Sequence, residues 1–395
     1  MAGARGRVRQ ERSLRNDRRI LTAAIDVIAN EGYSGLSLTE VARCAGLSIR
    51  PVRDRFPDRF ALASAIWADG VSPPLVASLE SLVTAAQEAD EESLLAALQS
   101  LTVPDMRLRV ATELLIVSTH DAPTAELVAA DLGRQLARWL NPRGRGGSTA
   151  AAARGYVLML AFGLILESWR ADASRIVLDG EVAALCRALR APTRLRSLPT
   201  QSAVHLDASP LLDTGDPAWD AMLASTLEQV GRKGYDKATV EAIANEAGYS
   251  QTVLFSRYPT KRDAFLDATR RMFAASTDLN RAFQLRMAAR SSPGIAEAVM
   301  LREYMKPGRE LARIVGLEQY RLAWHDPEMR LALESEQMGF RREYRRAHAQ
   351  LTDAQFRARL HMEHAIGMGP VLLAQLSPTA WRLPYSAITV PLIDR

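Results

Sequence analysis

One segment near the N-terminus occurs again in the middle of the chain, and every matched residue is displaced by 202 positions. The first copy runs from Ile20 through Gly32-Tyr33 and Ala45-Gly46-Leu47-Ser48 to Phe56-Pro57. The second copy runs from Met222 through Gly234-Tyr235 and Ala247-Gly248-Tyr249-Ser250 to Tyr258-Pro259. Because the register is kept without a gap and the period far exceeds that of a solenoid repeat, the sequence predicts a duplicated domain.

Apolar periodicity predicts an all-α fold. The 395 residues suffice for two or three domains, and the contents of 48% hydrophobic and 24% charged residues are ordinary for a globular protein. Apolar residues recur at helical spacing and not in the alternation typical of strands. Outside the two copies, helices are predicted over residues 75–86, 91–101, 104–118, 123–140, 149–169, 180–189, 311–325, 327–351 and 352–376. Pro378, Pro384 and Pro391 interrupt the tail, so no regular last helix is expected there.

Each copy has the helix start and stop signals of a helix-turn-helix. In the first copy a helix stops at Gly32, and Ser37 to Glu40 forms a capping box that starts a second helix. Gly46 permits a tight turn, and Ser48 begins a third helix that Pro57 ends. A helix-turn-helix reads DNA by placing its second helix, here the third of the segment, in the major groove.

These motifs resemble the N-terminal domain of the TetR family of bacterial transcriptional regulators. The resemblance covers about fifty residues in each copy and implies two tandem units, each with a DNA-binding head followed by a helical body for effector binding and dimerisation. The predicted domains are a basic arm (1–16), a first head (17–72), a first body (73–190), a linker (191–216), a second head (217–275) and a second body (276–395).

The resemblance also assigns candidate DNA-binding residues. They are Ser37, Thr39, Ser48, Ile49, Arg50, Val52, Arg53, Arg55 and Arg59 in the first head, and Thr239, Ser250, Gln251, Thr252, Phe255, Ser256, Arg257 and Lys261 in the second. The first head departs from the family pattern at two positions. Arg53 stands where the family has an aromatic residue, which the second head keeps as Phe255. Arg59 stands where the family has a lysine, which the second head keeps as Lys261. Arg50 is the best candidate for a base contact to guanine, and Gln251 suits adenine.

Charge is concentrated at the N-terminus. The net charge is only +5, but seven arginines crowd the first twenty residues. This segment is expected to be either a solvated disordered tail or an arm that touches DNA phosphates. Cys44 and Cys186 are interpreted as buried apolar residues, because neither has a partner at metal-ligand spacing.

The function expected from these features is a cytoplasmic, effector-responsive repressor that binds double-stranded operator DNA. Its effector should be small and mostly apolar, and Glu113, His120, Trp139, Trp169, Glu303, Trp324 and His325 are the residues that could line its pocket. No cofactor, metal or membrane contact is expected, since the longest apolar run, Tyr156–Leu166, is too short to cross a bilayer. An enzyme is disfavoured because no phosphate loop or nucleophile elbow occurs.

Two alternatives stay open at this stage. The chain could be an architectural protein that bridges DNA without a ligand, or one head could have lost DNA binding. Independently, the two units could pack on each other as an intramolecular pseudo-dimer, or whole chains could form a homodimer.

Overall fold

The computed structural model describes residues 2–144, 146–193, 198, 212–308 and 310–394, with side chains from Leu14 onward. Within these ranges every regular element is a helix and no strand occurs, so the prediction of an all-α fold is confirmed. Most of the predicted linker, residues 194–197 and 199–211, lies outside the described part.

The helices of the N-terminal half follow the predicted order. They are α1 (Ala2–Gly35), α2 (Leu38–Cys44), α3 (Ile49–Arg55), α4 (Arg59–Ala65), α5 (Ser72–Glu88), α6 (Glu91–Thr102), α7 (Met106–Val117), α8 (Ala122–Val128), α9 (Arg134–Trp139), α10 (Gly147–Leu166) and α11 (Asp179–Arg190). Two single π-helical turns, Ile66–Val71 and Ala129–Gly133, join α4 to α5 and α8 to α9 without a loop.

The C-terminal half has a similar order. Its helices are α12 (Pro217–Lys233), α13 (Val240–Ala247), α14 (Gln251–Phe255), α15 (Lys261–Arg290), α16 (Pro293–Met305), α17 (Glu310–Ala323), α18 (Pro327–Ala347), α19 (Asp353–Leu376) and α20 (Ser386–Ile393).

Three predicted details differ in the structure. The backbone is already helical from Ala2, so no break separates the basic arm from the first head. A helix also runs through the predicted boundary at residues 72 and 73. Cys44, expected to be buried, is exposed.

The expectation of an irregular tail is wrong, because α20 is a regular helix that contains Pro391. Proline lacks the N–H that would bond to the carbonyl four residues earlier. Here the Ala387 carbonyl accepts a hydrogen bond from the Thr193 backbone N–H at 3.1 Å, which replaces the missing donor. Tyr385 and Ile388 are fully buried, so packing against the core further stabilises this segment.

The core is centred on α10 and α19, which cross at backbone contact. A Cβ atom added at Gly163 would overlap the Ala365 backbone, and one added at Gly369 would overlap the Met159 carbonyl. Helix α10 is buried from Tyr156 to Leu166 without interruption. Glycine at these two positions therefore lets the N-terminal and C-terminal halves pack closely through their bodies.

Two helical runs, Arg59–Glu88 and Gly147–Trp169, are long and apolar enough to cross a membrane by length and composition alone. The second contains the Tyr156–Leu166 segment, and 83% of its most apolar window is buried inside the protein. Burial to this extent is typical of a core helix, so the pattern is weak evidence for a membrane span.

Candidate nucleic-acid interface

The second predicted head forms a compact three-helix segment. Helix α12 ends at Gly234, and Thr239 Oγ1 accepts the Ala242 N–H at 3.1 Å to cap α13. The turn to α14 passes through Gly248 with φ of +77°, a left-handed conformation that strains other residues. The candidate recognition helix α14 is thereby held at a fixed angle to α13.

The face of α14 carries short polar side chains and one aromatic ring. Gln251, Thr252 and Ser256 are exposed, and Phe255 is 48% exposed although it is large and apolar. Thr239 and Ser250 are exposed at the N-termini of α13 and α14. This surface allows close approach of another molecule, with Phe255 as its apolar contact.

Two of the candidate cations in this head are engaged within the protein. Lys261 Nζ donates to the carbonyls of Tyr235 and Ala238 at 2.7 and 2.8 Å and lies 4.1 Å from the centre of the Tyr235 ring. Burial lowers the pKa of this amine. Arg257 forms an ion pair with Asp216 and stacks on Trp219. Lys261 in this conformation fixes the loop before α13 and does not reach outward.

The first predicted head repeats the arrangement. Ser37 Oγ accepts the Glu40 N–H at 3.1 Å, but the Glu40 carboxylate pairs with Arg43, so only half of the predicted capping box forms. The turn at Gly46 has φ of +61°, and Arg19 Nη2 donates to the adjacent Ala45 carbonyl at 2.6 Å. Ser48 occupies the N-cap position of α3 without a side-chain hydrogen bond.

The exposed face of α3 is basic. The Arg50 side chain is 89% exposed and lies 4.0 Å from the Asp54 carboxylate, and Arg53 is exposed as well. Arg55 pairs with Asp17 at 2.8 Å, which ties the end of α3 to α1. Thr39 and Ser48 are exposed beside this face, and Ile49 is half-buried against the core.

Two members of the predicted set in the first head belong to its interior. Val52, the fourth residue of the short helix α3, is fully buried because it faces the core of the head. It is therefore removed from the DNA-binding candidates. Arg59 donates to the Tyr33 carbonyl, and its guanidinium lies 4.1 Å from the centre of the Tyr33 ring. Arg59 and Lys261 thus have the same structural role at matched positions.

Sequence reasoning missed a second internal repeat that positions the heads. Glu113 and His120-Asp121 recur as Glu318 and His325-Asp326, displaced by 205 positions. The Tyr33 N–H donates to Glu113 Oε1 at 2.5 Å, and the Tyr235 N–H donates to Glu318 Oε2 at 2.9 Å. Each of these buried glutamates fixes the backbone directly after a glycine of positive φ, Gly32 at the kink inside α1 and Gly234 at the end of α12.

The histidines of this repeat cross between the two halves. His325 Nε2 lies 2.8 Å from Glu113 Oε2, and His120 Nε2 lies 3.0 Å from Glu318 Oε1. His120 packs against Gly234, where a Cβ atom would clash with the ring, and His325 packs against Gly32, where a Cβ atom would lie 3.3 Å from the ring. Each head therefore contacts a histidine from the opposite half of the chain. We use the name crossed cluster for five residues, Glu113, His120, Glu318, Arg321 and His325.

Arg321 makes the crossed cluster asymmetric. It is 2% exposed, donates to Glu318 from Nε and Nη2 at 2.9 Å each, and reaches Asp236 at 2.9 Å and Glu113 at 3.4 Å. Burial opposes ionisation of Glu318, but the charge of Arg321 and the bond from His120 outweigh it and hold the pKa of Glu318 below its ordinary value. The residue displaced by 205 positions from Arg321 is Ile116.

The second head thus contains a capped helix, a glycine turn and an exposed candidate recognition helix, α14. Residues 222–268 match the tetR family of bacterial regulatory proteins. The match lies wholly within the second predicted head and supports a TetR-type DNA-binding domain and a transcriptional regulator. No curated protein is similar enough to the chain to be counted as a relative.

The residues suggested for an effector pocket are engaged with other protein groups. Besides the crossed cluster, Trp169 packs edge-on against Tyr320 at 6.3 Å, and Arg109 lies 5.9 Å from the Trp324 ring. Glu303 pairs with Lys306 at 2.7 Å. Polar and aromatic residues on apolar helices here serve packing and ion pairing, which the sequence pattern alone did not separate from ligand binding.

His361 on α19 should make the protein sensitive to mild acid. Its ring is 2% exposed, neither nitrogen has a hydrogen-bond partner, and burial lowers its pKa from 6.5 to about 4. Between pH 6.5 and 4, His361 is therefore protonated in the unfolded chain but neutral in the folded protein. The free energy of unfolding falls over this range, by up to about 3 kcal/mol. In urea unfolding at pH 7.5 and 5.0, we expect His361→Leu to lose less stability between the two pH values than the wild type. An equal loss in both proteins would contradict this.

Proposed function

We propose that this protein is a DNA-binding transcriptional repressor built from two tandem TetR-type units. The observation that carries the proposal is the family match over residues 222–268, together with the exposed face of α14 within it. The first head is included because its helices, caps and glycine turns stand at the matched positions, including Gly32 and Gly46.

The two heads are proposed to work as one intramolecular pseudo-dimer. Contact between α10 and α19 at Gly163 and Gly369 supports body-to-body packing within one chain. The crossed cluster supports the same arrangement, since His120 and His325 each reach the opposite half. Because α3 and α14 differ in sequence, the two half-sites in the operator should differ as well.

Release of DNA by a small effector, the repressor role and a cytoplasmic location are further parts of the proposal. They rest on the resemblance to the family, whose members respond to ligands through the helical body. A DNA-bridging protein is the competing function, and it would need two chains or two separate duplexes for each particle.

The test is selection of duplexes from a random DNA library by the full-length protein, followed by footprinting. We expect one protected site per chain, with two different half-sites about 34–36 Å apart. Light scattering should give the mass of one chain on one site. A two-chain particle that protects two near-identical palindromes would contradict the pseudo-dimer, and absence of retarded DNA at low salt would contradict DNA binding itself.

Loss of the Arg50 side chain should weaken binding at one operator position. Arg50 lies in the first turn of α3 with 89% of its side chain exposed, which suits a bidentate contact to guanine. Arg50→Ala is expected to cost about 1–3 kcal/mol of binding free energy and to relax specificity at that base pair. Arg290→Ala, at the far end of α15, removes the same charge and should leave specificity unchanged. A uniform loss over all sequences would make Arg50 a phosphate contact instead.

Gln251 and Thr252 provide the matching test for the second head. Both are exposed in the first turn of α14. Replacing both with alanine should alter only the second half-site, whereas Arg50→Ala alters only the first. If the double variant leaves the selected sequence unchanged while Arg50→Ala changes it, only the first head reads DNA.

A further inference from the structure

A groove between the C-terminal half of α18 and the start of α19 concentrates positive charge. It encloses about 490 Å³, and its walls carry Arg341, Arg342, Arg345, Arg346 and Arg357. Asp353 is its one acidic residue, and it pairs with Arg345 at 2.7 Å. In the described part of the chain, no carboxylate lies within ion-pair distance of the other four arginines.

The fold does not stabilise this charge distribution. Arg341 and Arg345 are four residues apart on one helix, as are Arg342 and Arg346, and like charges at this spacing repel. The Nε atom of Arg357 is buried and has no hydrogen-bond partner. The nearby carboxylate of Glu343 is paired with Arg281 on α15 and does not neutralise the groove. An anion bound in the groove would relieve this repulsion.

The matching helix of the first half lacks the groove. Continuing the displacement of 205 positions along the chain, Arg341 and Arg345 correspond to Leu136 and Leu140. Both leucines are buried, with exposures of 0% and 6%. The matched positions therefore form a sealed apolar contact in the first half and an open basic surface in the second.

The groove is remote from the second head. Helices α15 and α18 start together beside the second head, where Arg262 pairs with Asp326 at 3.1 Å and with Glu328 at 2.6 Å. At 1.5 Å per residue, the arginines lie about 20–30 Å further along α18. A duplex on the exposed face of the second head does not account for this charge.

We propose that this groove binds a small organic phosphate, one molecule per chain. Guanidinium groups pair with phosphate oxygens through two parallel hydrogen bonds, which favours arginine over lysine at such sites. Met338, 53% exposed, adds apolar surface to the wall for the organic part of the ligand, and the buried ring of Phe356 lies 4.7 Å from the Arg345 guanidinium and supports it. The ligand class thus differs from the mostly apolar effector that the family resemblance suggested, and the inference does not depend on DNA binding.

Isothermal titration with inorganic pyrophosphate and with hexyl phosphate at constant ionic strength tests the site. We expect saturable one-to-one binding, weakened at least tenfold in Arg341→Gln/Arg342→Gln. The control Arg134→Gln/Arg138→Gln removes the same charge from exposed positions on the matching helix α9 and should bind as the wild type does. Met338→Ala should weaken hexyl phosphate but not pyrophosphate.

Three outcomes would overturn the proposal. They are no saturable heat with either probe, equal weakening by both double variants, and displacement of pyrophosphate by short duplex DNA in the wild type. The last would make the groove a second DNA contact. All four arginines that are replaced are exposed, so circular dichroism should report unchanged folding, and retardation of operator DNA without phosphate should stay at the wild-type level.

Discussion

Replacing Gly369 with alanine is expected to lower the free energy of unfolding by about 3 kcal/mol or more. Inside a helix this change usually stabilises, because alanine has the higher helix propensity. At Gly369, however, the added Cβ would overlap the Met159 carbonyl of α10. Neither backbone can yield locally, so α10 and α19 must separate along the most buried contact of the core.

Gly367→Ala is the matched control for this prediction. Gly367 lies two residues earlier on α19, and a Cβ added there meets no atom within 4 Å. We expect it to be neutral or to stabilise by up to about 1 kcal/mol in urea unfolding. Equal effects of the two variants would show that α10 and α19 do not cross at Gly369.

Local signals allowed much of this fold to be predicted from the sequence. Ser37 caps α2 where the pattern of polar residues predicted it, and Gly46 has the positive φ value that a tight turn needs. Thr239 and Gly248 have the same roles at the matched positions of the second copy. These features depend on residues within four or five positions of each other. A sequence window of that size therefore contains all the residues that determine a helix cap or a glycine turn.

Features that depend on distant residues were missed. The regular end of the chain requires the Thr193 N–H opposite Pro391, and these residues are far apart in sequence. The inward direction of Val52 and the backbone contacts of Arg59 and Lys261 depend on how a short helix rotates against its neighbours. A family pattern identifies such positions but does not say which way a side chain points.

The crossed cluster did leave a signal in the sequence. Glu-x6-His-Asp occurs at 113–121 and again at 318–326, with a displacement close to that of the heads. The repeat identifies the residues, but their pairing across the two halves follows only from packing. His325 contacts Glu113, which is 212 positions away.

Glu318→Ala is expected to have the other large effect, a loss of about 3–5 kcal/mol in the free energy of unfolding. Glu318 is fully buried and accepts bonds from Arg321, His120 and the Tyr235 N–H. Its removal leaves the buried charge of Arg321 with weaker partners and leaves the Tyr235 N–H unpaired. The second head loses one of its polar attachments to α17, while the Arg321–Asp236 pair and the apolar contacts of Val315 remain. Recognition of the second half-site should therefore fail in concentrations of urea that leave the first half-site bound.

Two variants determine whether the buried charge causes this loss. Glu310→Ala removes a half-exposed carboxylate of the same helix that lies 3.5 Å from Arg313 and accepts the Gly308 N–H, and it should lower stability by only about 1 kcal/mol. Glu318→Ala/Arg321→Ile removes both charges and copies the isoleucine found at the matching Ile116, so it should recover part of the stability lost by the single variant. If the double variant is less stable than Glu318→Ala, then Arg321 stabilises the junction through Asp236 and Glu113 even without its main partner, and its buried charge does not cause the loss.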